Sequence, residues 1–184
     1  MTSDRSRIVV TGMGTMTPLG QNPDAFWANL VAGKPGIGPM TLCDPTDYPC
    51  RIAGEVRDFD PAQYMDNKES RRMARFSQLA VAAGLTAVKS AGLDISREDP
   101  YRVGVVLGNG NGGFPTLEDN CRVLAERGGM RMTPFFFPMV LPNMAAANVS
   151  RFVGAHGYNA TATTACASSN QAIGQALDVI RRGA

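Results

Sequence analysis

Cys166 is the residue of this chain best suited to nucleophilic chemistry, because of the residues on either side of it. The run before it, residues 161–165, is typical of a buried strand, and the small residues after it are typical of a helix. We predict that Ser168 or Ser169 caps this helix. A thiol between a strand end and a helix start faces unpaired backbone N–H groups and the positive end of the helix dipole. The pattern therefore predicts a sulfur nucleophile.

The complete string around this cysteine, TACASS over residues 164–169, is more specific than the cysteine alone. A lone cysteine after a strand is more often a small core residue. The string closely resembles the nucleophile motif of the β-ketoacyl-acyl-carrier-protein synthases, the condensing enzymes of fatty-acid and polyketide synthesis. The resemblance is closest to the elongating type II enzymes, and their noncatalytic chain-length partners carry another residue at the position of Cys166. Further matches follow in order at residues 7–20, 26–27, 59–60, 68–73, 108–113, 134–138 and 143–144.

Strands and helices alternate along the predicted elements that must position Cys166. This alternation indicates an α/β layered fold, and no repeat or linker divides the chain, so we predict one domain. The resemblance implies the thiolase-like layered fold, in which helices flank a central mixed sheet. It also implies that residues 1–184 are the N-terminal half of that fold, with the C-terminal half absent from this sequence. The predicted strands span residues 8–12, 103–108 and 158–165, and the predicted helices span residues 24–32, 70–91, 116–127, 141–153 and 169–182.

Composition limits the class of protein. The 184 residues are 44% hydrophobic and 18% charged, which is typical of a globular chain. A formal net charge of +2 does not predict binding to nucleic acid or to a membrane surface. The sequence shows no signal peptide and no apolar run of membrane-spanning length, so we expect a cytoplasmic protein. The four cysteines lack metal-ligand spacing, and we expect reduced thiols, no metal and no cofactor.

The resemblance implies that Cys166 accepts an acyl group from the thioester of an acyl carrier protein (ACP). Thiolate attack gives a tetrahedral oxyanion and then an acyl-enzyme, and the backbone N–H of Cys166 is the implied first oxyanion donor. The later decarboxylation and condensation use two histidines and a lysine of the second half. His156, the one histidine here, stands ten residues before Cys166 between glycines, and we interpret it as structural. The sequence thus supplies a nucleophile without its acid–base partners.

Basic residues recur at helical spacing in the middle of the chain, at Lys68, Arg71, Arg72 and Arg75. This spacing predicts one helix with a basic face opposite a buried apolar face. A solvated charged face is the usual explanation of such a run. The resemblance implies a more specific role, because Lys68, Arg71 and Arg72 align with the positions that dock the acidic ACP. We therefore expect these three residues to bind ACP.

The glycine-rich segment, residues 108–113, satisfies the pattern G-x-G-x-x-G after a predicted strand. We expect no dinucleotide site, because Pro115 and a helix that begins several residues later fit a phosphate poorly. The resemblance implies instead that Gly110, Asn111 and Gly112 line an acyl pocket. Asn111 replaces the usual apolar residue, and a polar side chain there should disfavour a long alkyl chain or accommodate a functionalised one.

Three consecutive phenylalanines lie between two prolines, at residues 135–137. Core packing is the simplest role for such a cluster. The resemblance implies a further role, in which a phenylalanine of this segment, Phe136 or Phe137, closes the acyl pocket of a neighbouring subunit. It also implies a homodimer formed across the strand before the nucleophile, at about residues 158–164, with an isologous twofold contact.

Three functions are open at this stage. The first is the N-terminal portion of an elongating ketosynthase, which converts acyl-ACP and malonyl-ACP to 3-oxoacyl-ACP, carbon dioxide and free ACP. The second is thiolase-like acyl transfer from coenzyme A by the same cysteine; the basic residues favour a carrier protein, but no residue excludes coenzyme A. The third is an inactive fragment, or an interaction subunit that needs a second chain to supply the catalytic histidines.

Overall fold

Helices and strands both occur along residues 7–183, the part of the chain that the computed structural model describes; residues 1–6 and Ala184 lie outside it. The described helices are α1 (Pro23–Val31), α2 (Asn67–Ser70), α3 (Arg75–Ser90), α4 (Phe114–Arg127), α5 (Phe136–Val140), α6 (Met144–Val153) and α7 (Ser168–Arg181). The described strands are β1 (Gly38–Pro39), β2 (Ile52–Ala53), β3 (Val105–Gly108) and β4 (Asn159–Ala162). No helix within this range is long and apolar enough to cross a membrane.

The parallel pair β3 and β4 lies between two layers of helices. Val105 is opposite Asn159 in this pair, and helices α6 and α7 both pack against the two strands. Side chains alternate across a strand, so successive residues of β3 face different helices. Val105 and Leu107 pack against the core cluster that includes Val149 of α6, whereas Val106 lines a groove together with residues of α7. The predicted α/β layered arrangement is therefore confirmed.

The core lies where α3 crosses α6. Val81 of α3 is fully buried, and Val149 of α6 is 8% exposed. Small residues permit the two helices to approach closely, since a Cβ added to Gly84 would lie 3.0 Å from Val149 Cγ1. Ala82 and Ala146, one from each helix, are completely buried. The short apolar side chains of these helices thus form a tightly packed layer beneath the sheet.

Residues 8–12 do not form the predicted strand. A strand needs a hydrogen-bonded neighbour, and none of the described strands pairs with this segment. The segment lies along α3 instead, so that a Cβ added to Gly12 or Gly14 would collide with the backbone of that helix. Val9 and Val10 are 64% and 82% exposed. No strand within the described residues therefore pairs with the apolar run at residues 8–12.

The helix predicted over residues 70–91 is interrupted near its start. The chain completes α2 at Ser70, leaves the helical conformation over residues 71–74, and begins α3 at Arg75. Met73 and Ala74 in the interruption are 3% and 4% exposed, so the break places both in the core. The other four predicted helices are confirmed to within three residues at each end, and α5 is a helix that the sequence did not predict.

The carboxylate of Glu55 fastens the long loop that follows α1. It accepts hydrogen bonds from the Thr41 N–H at 2.9 Å, the Thr41 hydroxyl at 2.7 Å and the Leu42 N–H at 3.1 Å. These donors, the Thr41 N–H first, lower the pKa of Glu55 from 4.5 to about 2. Glu55 therefore holds residues 41–42 against the β1–β2 pair only while it is ionised.

We expect the Thr41–Glu55 contact to open only in strong acid. A carboxyl whose pKa is lower in the folded than in the unfolded chain adds stability above its unfolded pKa. That stability is lost as the pH falls from about 4.5 towards 2. The amide proton shifts of Thr41 and Leu42 should titrate with a midpoint near pH 2 in NMR spectra, and Glu55→Gln should abolish the transition. A midpoint near pH 4.5 would contradict this assignment.

Candidate active site

Cys166 lies in a short turn between the end of a strand and the start of a helix. Strand β4 ends at Ala162, a 3-10 turn spans Ala165–Ala167, and α7 begins at Ser168. The side chain of Cys166 is exposed on this turn. The thiol therefore occupies the kind of position that the sequence predicted for it, and its role as a nucleophile stays a prediction.

The backbone immediately before Cys166 is strained. Ala165 has a φ of 49°, and within residues 7–183 it is the only residue other than glycine with a positive φ. A side chain with a Cβ disfavours this conformation, at a cost on the order of 1–3 kcal/mol. Such strain persists only where the surrounding structure maintains it, and it is found often at functional sites. The turn is therefore held in place by its neighbours.

Ser168 provides the hydrogen bonds that hold the turn. Its hydroxyl accepts from the Thr164 N–H at 2.8 Å, and its oxygen lies 2.7 Å from the Ala165 carbonyl oxygen and 3.1 Å from that of Asn109. Ser168 is 2% exposed. The predicted cap by Ser168 or Ser169 is wrong, because Ala167 is the N-cap of α7 and forms no side-chain cap. The hydroxyl reaches back across the turn instead of forward along the helix.

Replacing Ser168 with alanine should loosen this turn. The change leaves the Thr164 N–H without its acceptor and removes the buried hydrogen bond to the Asn109 carbonyl, and a lost buried hydrogen bond costs about 1–3 kcal/mol. Chemical denaturation should show a fall of that size in the free energy of unfolding. Ser169→Ala is the matched control, because Ser169 is exposed, and it should stay within about 0.5 kcal/mol of the unmodified chain. Equal stability of the two variants would refute the role of Ser168.

The backbone N–H of Cys166 is available to a ligand. It donates to no acceptor in the described part of the chain, whereas the next two N–H groups bond to the carbonyls of Thr164 and Ala165. The 14-residue helix α7 begins two residues later, so the positive end of its dipole lies near this N–H. An unpaired N–H beside a helix N-terminus is the arrangement that stabilises a developing oxyanion. The turn therefore combines an exposed thiol with an unpaired backbone N–H.

The first half of the glycine-rich loop packs against the nucleophile turn. A Cβ added to Gly108 would collide with the backbone of Ser168 and Ser169, so glycine is required where β3 meets α7. A Cβ added to Gly110 would lie 3.9 Å from the Ala165 carbonyl oxygen. Asn109 anchors this part of the loop, because its side-chain amide donates to the Pro142 carbonyl at 2.9 Å. The structure thus brings Gly110 beside the turn that carries the thiol.

The second half of the loop packs against the Phe76 ring and the Val140 backbone. A Cβ added to Gly112 would lie 2.5 Å from the Phe76 ring, and one added to Gly113 would lie 2.9 Å from Val140. Helix α4 begins at Phe114, two residues before the predicted start and directly after the loop. The Phe76 ring and the Val140 backbone therefore pack directly against the last two glycines of the loop.

The predicted acyl-pocket residues lie in different surroundings. Gly112 lines an apolar cavity of about 320 Å³ together with Phe76 and Leu79, and Asn111 is exposed. The rings of Phe136 and Phe137 meet edge to face at 5.2 Å, and Phe137 is 66% exposed. Their helix, α5, packs mainly on α4 and α6. Gly110 approaches the Cys166 turn, whereas the roles of the other four predicted residues stay predictions.

The three predicted docking residues also differ in their exposure and in their contacts within the chain. Lys68 and Arg71 are exposed and form no ion pair among the described residues. The Arg72 guanidinium lies over the ring of Phe135, with its Cζ 4.8 Å from the ring centroid, and 3.9 Å from the Glu69 carboxylate. The side chain of Arg72 is thus engaged within the chain itself.

The interruption before α3 also separates Arg75 from this group. Arg75 donates to the Val56 carbonyl, and its guanidinium lies 5.5 Å from the ring centroid of Phe59. The single basic helix face predicted from the spacing is therefore wrong. The break between α2 and α3 turns these cations in different directions, and two of them stack on aromatic rings.

Several features of this site could not be found by sequence reasoning. The strain at Ala165 and the hydrogen bonds of Ser168 have only one signal in the sequence. That signal is the pair of serines at residues 168 and 169, which we interpreted as a helix cap.

His156 packs edge to face on Tyr101 with ring centroids 5.6 Å apart, and its backbone N–H donates to the Pro100 carbonyl. These contacts agree with a structural histidine.

Comparison with protein families places this geometry among known proteins. The family model "Beta-ketoacyl synthase, N-terminal domain" matches residues 5–184. The chain is 41% identical over 180 residues to a 3-oxoacyl-[acyl-carrier-protein] synthase 2 of Synechocystis sp., covering 98% of the chain and 43% of that relative. It is 41% identical over 181 residues to the enzyme of the same name from Staphylococcus aureus, with 98% and 44% coverage. The chain thus spans less than half the length of these curated relatives.

Solved structures show the same fold. A ketosynthase in complex with its type II polyketide acyl-carrier protein superimposes with a TM-score of 0.81 at 28% identity, over 97% of this chain and 48% of that one. The ishigamide ketosynthase/chain length factor gives a TM-score of 0.81 at 30% identity, over 97% and 45%. A β-ketoacyl synthase from Burkholderia phymatum gives 0.80 at 31% identity, over 95% and 43%. The thiolase-like fold expected from the sequence is confirmed.

Proposed function

The chain belongs to the β-ketoacyl synthase family, and on that premise we propose that it supplies the nucleophile of a 3-oxoacyl-ACP synthase. The proposed reaction joins acyl-ACP and malonyl-ACP to give 3-oxoacyl-ACP, carbon dioxide and free ACP. One observation carries the proposal: the exposed thiol of Cys166 shares a strained turn with its own unpaired N–H at the start of α7. This arrangement suits attack on a thioester.

The first step forms a bond between Cys166 Sγ and the carbonyl carbon of the acyl thioester. The carbonyl oxygen becomes an oxyanion, which the Cys166 N–H and the positive end of α7 stabilise. The carbon–sulfur bond to the carrier then breaks, and the carrier leaves as a thiolate that takes up the proton that the Cys166 thiol gave up. The acyl group remains on Cys166 as a thioester, ready for condensation.

The remaining steps need groups that residues 7–183 do not bring to Cys166. Decarboxylation and carbanion attack require acid–base residues, and the lone histidine, His156, packs on Tyr101. The chain covers 43% and 44% of its two curated relatives. We therefore assign the chain to the N-terminal domain, over residues 1–184, and assign the missing acid–base groups to a segment that matches the rest of those relatives.

A homodimer is part of the proposal. Within the described residues, β4 pairs only with β3, so its other edge is unpaired and can accept a partner strand. Tyr158 at the start of this edge is 43% exposed. The exposed Phe137 is suited to reach a neighbouring subunit, where it and Phe136 would close an acyl pocket lined by Gly110, Asn111 and Gly112. An exposed polar Asn111 in that lining favours a short or functionalised acyl group.

Carrier recognition is assigned to Lys68 and Arg71, the two exposed cations at the end of α2. One neighbouring structure is a ketosynthase in complex with an acyl-carrier protein, which supports a carrier as the partner. We expect Lys68→Ala and Arg71→Ala each to weaken binding of ACP by roughly 1.5- to 5-fold, the range for single exposed ion pairs. Titration calorimetry at low and high salt measures the effect. Lys89→Ala, an exposed cation on α3, should leave the affinity unchanged, and an equal loss there would contradict the assignment.

The test of the proposed function compares two acyl donors. The folded chain is incubated with acyl-ACP or with acyl-CoA of the same acyl length, and intact mass spectrometry follows acylation. Faster acylation from ACP supports the synthase. Equal or faster acylation from coenzyme A would overturn it in favour of thiolase-like transfer. No acylation from either donor, in a chain shown to be folded, would mean that this chain acts only as an interaction subunit that needs another segment.

A further inference from the structure

Arg72 is held by two different groups at the break between α2 and α3. Its guanidinium lies over the Phe135 ring, with Cζ 4.8 Å from the centroid, and its Nη1 lies 3.9 Å from Glu69 Oε1. The side chain of Arg72 is 41% exposed, whereas that of Glu69 is 23% exposed. A guanidinium stacked on a ring and paired with a carboxylate has a restricted set of conformations. Arg72 is therefore a restrained cation beside two exposed cations that form no ion pair among the described residues, Lys68 and Arg71.

Glu69 extends this contact into the helical layer. The same carboxylate forms an ion pair with Arg151 of α6 through its second oxygen. The Arg151 guanidinium in turn lies 4.7 Å from the ring centroid of Phe152, which packs against the core cluster. A carboxylate shared by two arginines fixes both of them relative to the core. Arg72 is thus connected to α6 as well as to Phe135.

Phe135 is the first residue of the phenylalanine segment, residues 135–137, and the point at which that segment is attached. Its N–H donates to Thr133 Oγ1 at 3.2 Å, and the Thr133 N–H donates to the buried Asn120 at 3.4 Å. The N–H groups of Phe136 and Met139 in α5 then donate to the Thr133 and Phe135 carbonyls, respectively. The Phe135 ring, over which Arg72 lies, therefore stands at the N-cap of α5, directly before the two rings that follow.

We propose that Arg72 positions the phenylalanine segment and does not bind the carrier, which separates it from Lys68 and Arg71. The consequence for acyl selection rests on the proposed function, because it requires that Phe136 and Phe137 line an acyl pocket. The assignment of Arg72 itself rests only on its contacts with Phe135 and Glu69. It makes Arg72 the link between the basic surface and the aromatic segment.

Hydrogen exchange measured by mass spectrometry tests this role without any ligand. In Arg72→Ala, the peptide over residues 133–141 should exchange roughly 2- to 5-fold faster, the range that corresponds to an exposed cation–π contact. Arg72→Lys should give an intermediate rate, because it retains the charge beside Glu69 but loses the planar stack. Arg71→Ala is the matched control and should leave this peptide unchanged. Equal exchange in the Arg71 and Arg72 variants would overturn the proposal.

A variant of Phe135 distinguishes loss of the Arg72–Phe135 contact from a general loss of structure. Phe135→Leu removes the ring but keeps an apolar side chain, and it should accelerate exchange in the same peptide. The double variant with Arg72→Ala should exchange no faster than the faster single variant, because both remove one contact. If the acceleration of exchange in the double variant equals the product of the two single-variant accelerations, the two residues act independently and the proposal is overturned. Exchange in α3 around Val81 should be the same in all variants.

Carrier binding separates this inference from the proposed function. Arg72→Ala should keep the affinity for ACP within about 2-fold of the unmodified chain, whereas Arg71→Ala weakens it. A loss in Arg72→Ala that equals the loss in Arg71→Ala would make Arg72 a docking residue and overturn its positioning role. If no variant and no unmodified chain binds ACP, the proposed function fails, but the exchange result still decides the role of Arg72.

Discussion

Replacing Cys166 with alanine should abolish acylation of this chain completely. The side chain is exposed on the turn before α7, and no other group there can form a thioester with the donor acyl group. After incubation with acyl-ACP, intact mass spectrometry should show an acyl-sized increase in the unmodified chain and none in Cys166→Ala. Cys166→Ser should react far more slowly, because a hydroxyl is a much weaker nucleophile than a thiolate at neutral pH.

Another exposed cysteine of the same chain provides the matched control for this experiment. Cys121 lies on α4 and is exposed, as Cys166 is, but it has neither a strained turn nor a helix N-terminus beside it. Cys121→Ala should therefore be acylated as fast as the unmodified chain. An acyl-sized mass that persists in Cys166→Ala, or that disappears in Cys121→Ala, would show that the reactive thiol has been assigned wrongly.

Gly108→Ala should destabilise the fold strongly and disrupt the nucleophile turn. A methyl group at this position collides with the backbone of Ser168 and Ser169, and a backbone cannot rotate aside as a side chain can. Overpacking of this kind costs about 1–3 kcal/mol, and occasionally more. Either β3 or the start of α7 must shift, and both hold Cys166 in place. We therefore expect a lower free energy of unfolding together with slower acylation.

Gly174 in the middle of α7 gives the matched control for Gly108. A Cβ added there meets nothing within 4 Å, so Gly174→Ala introduces no collision. Alanine favours the helical conformation over glycine by roughly 0.5–1 kcal/mol, and the variant should be more stable by that amount. Urea denaturation of the two variants measures both changes. A Gly108→Ala chain as stable as the unmodified one would show that β3 and α7 do not pack as described.

Repeating patterns explain why most of the helices could be predicted. Apolar residues at helical spacing predicted α1, α4, α6 and α7, since an amphipathic helix leaves a period that can be detected within one segment, even in α1, where no residue is buried. The same method was wrong over residues 8–12, because a strand also needs a neighbouring strand. It was wrong over residues 70–91 as well, because burial of Met73 interrupts a helix that the spacing alone would continue.

By itself, the sequence determined the layered α/β arrangement and the position of Cys166 between a strand and a helix. Both depend on periodicity and on a short local string. Only the tertiary structure decided that Ala165 is strained, that Ser168 holds the turn through the distant Asn109, and that Arg72 is stacked on Phe135. These features depend on residues far apart in the chain coming within contact distance, and no local pattern records such contacts.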